Sequence, residues 1–122
     1  MKVMVVKQFE FEAAHFLPMY DGPCSVMHGH SYKLDVGVVG LIDEGTGMVM
    51  DFSELKRTVN EKVVQPLDHS LLNAVSLSGF PYYMPTAENM VVWIRGALDG
   101  MIPAVSFIRL WETSTSYAEW RQ

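Results

Sequence analysis

The chain has 122 residues, of which 49% are hydrophobic and 19% charged, and its formal net charge is −5. This composition predicts one folded domain over residues 1–122 and excludes an intrinsically disordered chain. Without a Lys/Arg-rich run, nucleic acid and anionic membranes are not expected partners, and the single cysteine excludes an intrachain disulfide. The sequence shows neither a signal peptide nor a membrane-spanning apolar run, so we expect a cytoplasmic protein, and the apolar excess predicts self-association.

Two strands are predicted in the first third of the chain. Residues 3–15 mix apolar and polar positions and are rich in β-formers, and a turn-rich stretch follows at 18–23. Alternation returns over residues 28–40, where the apolar positions share one parity: Tyr32, Leu34, Val36 and Val38. A second strand is therefore expected after the turn.

A first helix is predicted to begin at Asp51, whose carboxylate can cap backbone N–H groups. Glu54 occupies the capping-box position, and Pro66 is expected to end the helix. Steps of three and four residues predict one apolar face, formed by Phe52, Leu55, Val59 and Val63.

A second helix is predicted to follow Thr86, its expected cap, and to end near Gly100 and Pro103. Its apolar face is expected to contain Met90, Trp93 or Ile94, and Ala97 or Leu98. Residues 104–112 alternate again, and residues 115–120 are predicted as a last short strand. The order ββααββ predicts an α+β fold, an antiparallel sheet with both helices on one face.

Histidines supply the strongest chemical signal. His28 and His30 flank Gly29, and residues two apart in a strand share a face, so both imidazoles can bind one metal. His15 ends the first predicted strand, which we expect to pair with the second. Three histidines at a strand end would form a zinc site with an open fourth position, the arrangement of catalytic zinc. The alternative is that these are ordinary surface histidines.

Cys24 precedes His28 by four residues and has three possible roles. It could be a fourth zinc ligand in a closed structural site, a reactive thiolate beside the metal, or a buried structural thiol. The flanking residues Gly22, Pro23 and Ser25 indicate a loop, which weakens the third possibility.

Two further groups have both a functional and an ordinary interpretation. Asp68 next to His69 could orient the ring for proton transfer, or both could be solvated at a helix end. Glu112 ends an apolar run, where its carboxylate could accept two parallel N–H donors or simply face water. The aromatic stretch 80–85 could be a lid over a site or part of a subunit interface.

Together these residues resemble the 6-pyruvoyltetrahydropterin synthase / 6-carboxytetrahydropterin synthase family. The similarity extends through most of the chain, and its specific part is the order of a Cys-x-x-x-His-Gly-His motif, a Leu-Asp-His motif and a late Glu-Thr. The matching segments are FEAAH at 11–15, CSVMHGHSY at 24–32, GMVMDF at 47–52, LK at 55–56, LDH at 67–69, LN at 72–73, PTAEN at 85–89 and ET at 112–113.

The resemblance implies the tunnelling fold, in which a four-stranded antiparallel sheet carries two helices on one side. Three such sheets join edge to edge into a barrel, and two trimers stack into a homo-hexamer. This assembly would remove exposed sheet edges, which are an aggregation hazard. The substrate pocket would lie between subunits.

The resemblance also implies roles for individual residues. Zn²⁺ would be bound by His15, His28 and His30. Cys24 would be the proton-abstracting base and Asp68–His69 its partner dyad. Glu112 would hold the 2-amino group and N3–H of a pterin ring. Further substrate-binding or bracing positions would be Thr86, Glu88 and Thr113.

The implied substrate is 7,8-dihydroneopterin triphosphate, a small-molecule pterin. The expected reaction releases triphosphate and acetaldehyde and gives 6-carboxy-5,6,7,8-tetrahydropterin, a precursor for queuosine-type deazapurines. The alternatives are a 6-pyruvoyltetrahydropterin product and a non-catalytic, zinc-stabilised pterin-binding module. A generic zinc hydrolase is disfavoured because the chain has no H-E-x-x-H motif. Charge alone suggests Lys33, Lys56 and Arg109 as triphosphate-binding residues.

Overall fold

The computed structural model describes residues 1–74, 84–102 and 105–122. Four long strands form its sheet: β1 at Lys2–His15, β2 at His28–Leu41, β4 at Val105–Thr113 and β5 at Ser116–Arg121, with a two-residue strand, β3, at Ser70–Leu71. The spatial order is β3-β1-β2-β4-β5. The long strands are antiparallel to their neighbours, which confirms the predicted α+β fold and the order of its main elements.

The short strand β3 is a departure from the four-stranded prediction. It pairs in parallel with β1 through only two positions, Ala13 with Ser70 and Ala14 with Leu71. Two residues are too few to give an alternating pattern, so the sequence carried no signal for this strand. It nevertheless attaches the segment after the first helix to the end of β1.

The first helix, α1, covers Phe52–Val59 and continues through a π-helical stretch, Asn60–Val64, into a last turn at Gln65–Leu67. Asp51 caps it as predicted, since its side chain accepts a hydrogen bond from Ser53 N–H. The prediction that Pro66 ends the helix was wrong by one residue. A proline ring crowds the preceding turn, and the wider π turn ahead of it, closed by Gln65 N–H on Asn60 O, accommodates the ring.

The predicted apolar face of this helix is also corrected at one position. Leu55, Val59 and Val63 are buried in the core, whereas Phe52 is 50% exposed. Phe52 is the first helical residue and lies in a shallow groove with Val3 at the far end of the sheet from His15. The core-facing stripe therefore begins one turn later than predicted.

The second helix, α2, covers Ala87–Leu98, and Thr86 caps it by accepting a hydrogen bond from Asn89 N–H. The predicted apolar face is buried at Met90, Trp93, Ile94 and Leu98. Gly100, with φ of 76°, follows the helix in the left-handed conformation that glycine adopts without strain. Pro103 and residues 80–83 of the aromatic stretch lie outside the described residues.

Both helices pack on one face of the sheet. The core contains the alternate positions Phe9, Phe11 and Ala13 of β1 and Tyr32, Leu34, Val36 and Val38 of β2, together with the apolar helix residues. The positions between them form the opposite face, here called the open face, which carries Gln8, Asp35, Arg109, Trp111 and Glu119. No helix in the described part of the chain is long and apolar enough to cross a membrane.

Candidate metal centre

The three predicted histidines meet at one end of the sheet, on its helix-covered face. His15 is directly opposite His28 in the β1–β2 pairing, and His30 is opposite Ala13. Because side chains two residues apart in a strand share a face, His28 and His30 lie side by side. The ligand atoms of all three rings lie within 4.8 Å of one another, so the sequence prediction that these residues converge is borne out.

Backbone carbonyls fix the orientation of two of these rings. Nδ1 of His15 lies 2.9 Å from Pro85 O, and Nδ1 of His28 lies 2.7 Å from Val26 O. A carbonyl oxygen only accepts, so each Nδ1 carries the proton and each Nε2 presents a lone pair. The two Nε2 atoms are 3.1 Å apart, a distance at which two lone pairs repel unless a cation lies between them.

The remaining features of the cluster also fit a metal ion. His30 Nε2 is buried and has no hydrogen-bond partner. Burial, with help from His30 and His28, lowers the pKa of His15 to about 4, and burial lowers the pKa of His30 as well. Both rings are therefore neutral at pH 7, the form that binds a metal. Tetrahedral zinc with Zn–N bonds of about 2.0–2.1 Å separates its ligands by about 3.3 Å, close to the 3.1 Å between the Nε2 atoms of His15 and His28.

Glu112 faces the same cluster from β4. Its Oε2 lies 4.0 Å from His15 Nε2 and its Oε1 lies 4.0 Å from His30 Nε2. Next to it, the hydroxyl of the fully buried Tyr32 lies 3.2 Å from His15 Nδ1. Burial, and secondarily the Glu112 charge, raises the pKa of Tyr32 above its ordinary value. The phenol is therefore neutral and adds a polar contact to His15 that the sequence did not predict.

Cys24 lies in a single 3₁₀ turn, Pro23–Ser25, between β1 and β2. Its side chain is half-buried and forms no disulfide. Among the described residues, the group able to hold an ion consists of the three histidines without Cys24. The closed four-ligand site that the sequence left open is therefore not formed in this arrangement, while a role for Cys24 as a base stays a prediction.

Asp68 and His69 are in direct contact, which the sequence alone did not decide. His69 Nδ1 lies 3.0 Å from one Asp68 oxygen, and the other oxygen accepts a hydrogen bond from Glu12 N–H at 2.9 Å. The Glu12 N–H lowers the pKa of Asp68 most; desolvation opposes it, and the contact with His69 lowers the pKa further, so the net shift is downward. An ionised Asp68 thus orients the largely exposed ring of His69.

The backbone around this dyad is fixed to the end of β1. His69 has φ of 58°, an uncommon left-handed conformation for a residue with a side chain, and its N–H donates to Glu12 O. Further along, the Asn73 amide bonds both backbone groups of Phe16, each at 2.9 Å. Sequence reasoning missed Asn73 as a positioning residue, although it belongs to the matching LN segment.

The dyad and the histidine cluster border a common cleft. This shallow cleft, about 460 Å³ in volume, is lined by His30, His69, Glu12 and Ser31 together with neighbouring backbone. Two of these lining residues are joined by a hydrogen bond, in which Ser31 Oγ donates to Glu12 Oε2 at 2.7 Å.

The other residues predicted to bind the substrate, Thr86, Glu88 and Thr113, do not lie together at the histidine cluster. Thr86 caps α2 next to Pro85, whose carbonyl faces His15, and its role at a substrate site stays a prediction. Glu88 is exposed in the first turn of α2. Thr113 lines a cleft on the open face together with Gln8 and Lys33, the opposite side of the sheet from Glu112. Its predicted role in substrate binding stays a prediction.

An antiparallel α+β sheet with a three-histidine cluster at its end, bordered by an acid–histidine pair, defines a class of small enzymes with a potential metal centre. Residues 4–122 match the family model of 6-pyruvoyl tetrahydropterin synthase. The chain belongs to this family, which is a family of lyases, and the resemblance recognised in the sequence is confirmed.

Several relatives support this assignment. The chain is 35% identical to 6-carboxy-5,6,7,8-tetrahydropterin synthase of Haemophilus influenzae, with 97% of the chain and 98% of the relative covered. It is 37% identical to the Synechocystis enzyme of the same name, with 96% and 92% covered. It is also 37% identical to human 6-pyruvoyl tetrahydrobiopterin synthase, with 73% and 62% covered.

Solved structures agree on the fold. The Caenorhabditis elegans 6-pyruvoyl tetrahydropterin synthase superposes with a TM-score of 0.89 over all of this chain and 96% of that one, at 24% identity. A likeness at this identity establishes the fold alone. It confirms the architecture that the resemblance implied.

Proposed function

We propose that the chain is a zinc-dependent lyase that converts 7,8-dihydroneopterin triphosphate and water to 6-carboxy-5,6,7,8-tetrahydropterin, acetaldehyde and triphosphate, as a step towards queuosine-type deazapurines. The observation that carries the proposal is the convergence of three histidine rings, two of which, His15 and His28, point Nδ1 at a backbone carbonyl and so present Nε2 to the centre. Three histidines leave a fourth coordination position for a substrate.

Each residue then has a defined task in the proposed reaction. Zn²⁺ held by the three histidines would act as a Lewis acid towards the hydroxyls of the substrate side chain. Cys24 would remove the proton from the adjacent carbon. His69, oriented by the ionised Asp68, would deliver or relay protons. Glu112 would accept hydrogen bonds from the 2-amino group and N3–H of the pterin ring.

The carboxy product is favoured over the pyruvoyl product by the extent of the similarity. The chain covers nearly the whole of two bacterial relatives named for the carboxy product, but only 62% of the human enzyme named for the pyruvoyl product. 6-Pyruvoyltetrahydropterin synthase activity is the second candidate, because it acts on the same substrate and ends before the carbon–carbon bond is cleaved.

The decisive experiment is an acetaldehyde assay with dihydroneopterin triphosphate, run on the zinc-loaded wild type and on Cys24→Ala. We expect acetaldehyde and triphosphate in equal amounts from the wild type. The variant should keep its zinc and lose about 10²–10⁴-fold in turnover, the usual contribution of a general base. A pyruvoyl product without acetaldehyde would assign the second activity, and the absence of any turnover would indicate a non-catalytic pterin-binding module.

We also propose a homo-hexamer built from two trimers. In the described residues, one edge of β1 is paired only at Ala13 and Ala14, and β5 forms the other edge of the sheet. Edges of this length favour pairing with another copy. The Asp68–His69 dyad lies beside the β1 edge, which supports a pocket shared between subunits. We expect a cytoplasmic location, consistent with the unpaired Cys24.

A further inference from the structure

Glu112 lies close to the histidine cluster. Its two oxygens are each 4.0 Å from a metal-facing nitrogen, one on His15 and one on His30. We propose that Glu112 has two successive partners: the metal centre in the substrate-free enzyme and the pterin ring in the complex. The second half of this statement rests on the proposed function, whereas the first half depends only on the cluster.

Electrostatics support the first position. The Nε2 atom of His15 presents a lone pair, because its Nδ1 donates to Pro85 O. The Nε2 atom of His30 is buried and has no hydrogen-bond partner. A carboxylate facing such acceptors is repelled unless positive charge lies between them. A divalent cation held by the three nitrogens provides that charge, and the partial burial of Glu112 limits screening of the attraction by solvent.

The distances from Glu112 to the histidine nitrogens indicate whether it is a metal ligand or a neighbour of the ligands. Each of the two Glu112 oxygens lies 4.0 Å from one of the nitrogens, and Glu112 is not in the group of ligand atoms that all lie within 4.8 Å of one another, which consists of the three histidines. Glu112 is therefore a charged neighbour of the three-histidine cluster and not one of its ligands. In this position it raises metal affinity without permanently occupying the place that a substrate needs.

The shape of a pterin makes the two positions exclusive. The 2-amino group and N3–H lie on one ring of the fused bicycle, and the C6 side chain extends from the other ring. When the metal centre holds the side-chain hydroxyls, the edge that a carboxylate would bind points away from it. Glu112 must then leave the histidines to reach the ring, and the metal loses a charged neighbour as the pterin gains one.

If Glu112 exchanges partners in this way, zinc affinity should depend on the side chain of the bound pterin. A pterin without side-chain hydroxyls would draw Glu112 away from the metal and would supply no oxygen to the metal in its place. Such a ligand must therefore weaken zinc binding. By linkage, zinc must weaken the binding of that pterin by the same factor. A pterin with a hydroxylated side chain compensates through the open coordination position, which makes the centre selective for such ligands.

The first experiment measures zinc affinity without any pterin, by competition with a chromophoric chelator. Glu112→Gln keeps the shape of the side chain and removes its charge. We expect its zinc affinity to fall 10–100-fold, the range found when an outer partner of a metal site is removed. The matched control is Glu44→Gln, an exposed residue after the distant end of β2, which removes the same charge and should leave zinc affinity unchanged.

The second experiment repeats the titration of the wild type with unsubstituted pterin, at a concentration that its own fluorescence shows to be saturating. We expect weaker zinc binding in the wild type and no such effect in Glu112→Gln. Wild-type zinc affinity in Glu112→Gln, or zinc binding that pterin leaves unchanged in the wild type, would overturn the proposal. An enzyme that shows this linkage but no turnover would instead refute the proposed function alone.

Discussion

The two faces of the sheet each carry a cluster of charged and aromatic residues, and they differ in how completely these residues are satisfied. On the open face, Arg109 lies 2.6 Å from Glu119 and stacks 4.4 Å from the Tyr117 ring centre. Trp111 Nε1 donates to Asp35 at 3.3 Å. These donors and acceptors are matched within the chain.

On the helix-covered face the balance is different. Nε2 atoms of His15 and His28 face each other with lone pairs, His30 Nε2 has no partner, and Glu112 adds a negative charge. Acceptors exceed donors there, and buried acceptors left unpaired cost free energy. A fold retains such a cluster when something outside the chain completes it, and this supports the proposed metal centre at the helix-covered end of the sheet.

The largest expected difference between the two faces is in zinc affinity, when one residue of each cluster is replaced by alanine. His28→Ala deletes one of three ligands, so we expect zinc affinity to fall by more than about 100-fold and turnover to disappear. Arg109→Ala should keep the zinc stoichiometry and affinity of the wild type. Metal analysis after dialysis, with chelator competition, measures both variants. If Arg109→Ala lost zinc, or His28→Ala retained wild-type affinity, the division between the two faces would be wrong.

Two of the residues that charge suggested for triphosphate binding, Arg109 and Lys33, lie on the open face. Arg109 was a candidate on the basis of charge alone, but its guanidinium is paired with Glu119 on the face away from the histidines. Lys33 lines the cleft of that same face.

Periodicity and capping were sufficient to predict most of the fold. The shared parity of His28, His30 and Tyr32 placed their side chains on one face of β2, and the strand break after His15 placed that residue at the same end. Each of these inferences depends on local geometry that the side chains themselves encode.

What the sequence could not give depends on backbone atoms and on contacts between distant segments. The carbonyls of Pro85 and Val26 orient the histidines, but any residue supplies a carbonyl. The contact between Asp68 and His69 requires a left-handed residue and a two-residue strand, and neither has a pattern. Phe52 is exposed because of how the helix packs at the end of the sheet, and the spacing of apolar residues along a helix does not indicate this packing.

The second prediction concerns the metal-free protein and its response to pH. The pKa of His15 is lowered to about 4 in the folded state, so between that pH and its ordinary value of about 6.5 the unfolded chain binds more protons. Unfolding free energy should therefore fall as the pH drops through this window, by up to about 3 kcal/mol. Urea unfolding in the presence of a chelator measures it.

Matched variants separate this effect from general acid sensitivity. His15→Gln should reduce the slope between pH 6.5 and 4, because the histidine with the pKa of about 4 is removed, and the slope that remains is attributed to His30, whose pKa burial also lowers. His69→Gln changes an exposed ring and should keep the slope. A wild-type slope in His15→Gln would show that the buried histidine is not the cause.

The smallest effect is expected on the open face, with Glu119→Gln. Arg121 and Arg109 lower the pKa of Glu119, so its ion pairs stabilise the fold above the ordinary pKa of a glutamate and lose this effect as the pH falls through the lowered value. The variant should have a slightly lower melting temperature at pH 7 and unchanged zinc affinity. The difference should vanish in about 1 M salt, where exposed charges are screened, and again once the pH is below the lowered pKa of Glu119. A melting difference that persists in high salt would mean that Glu119 contributes by packing, and a loss of zinc affinity would couple the open face to the metal centre.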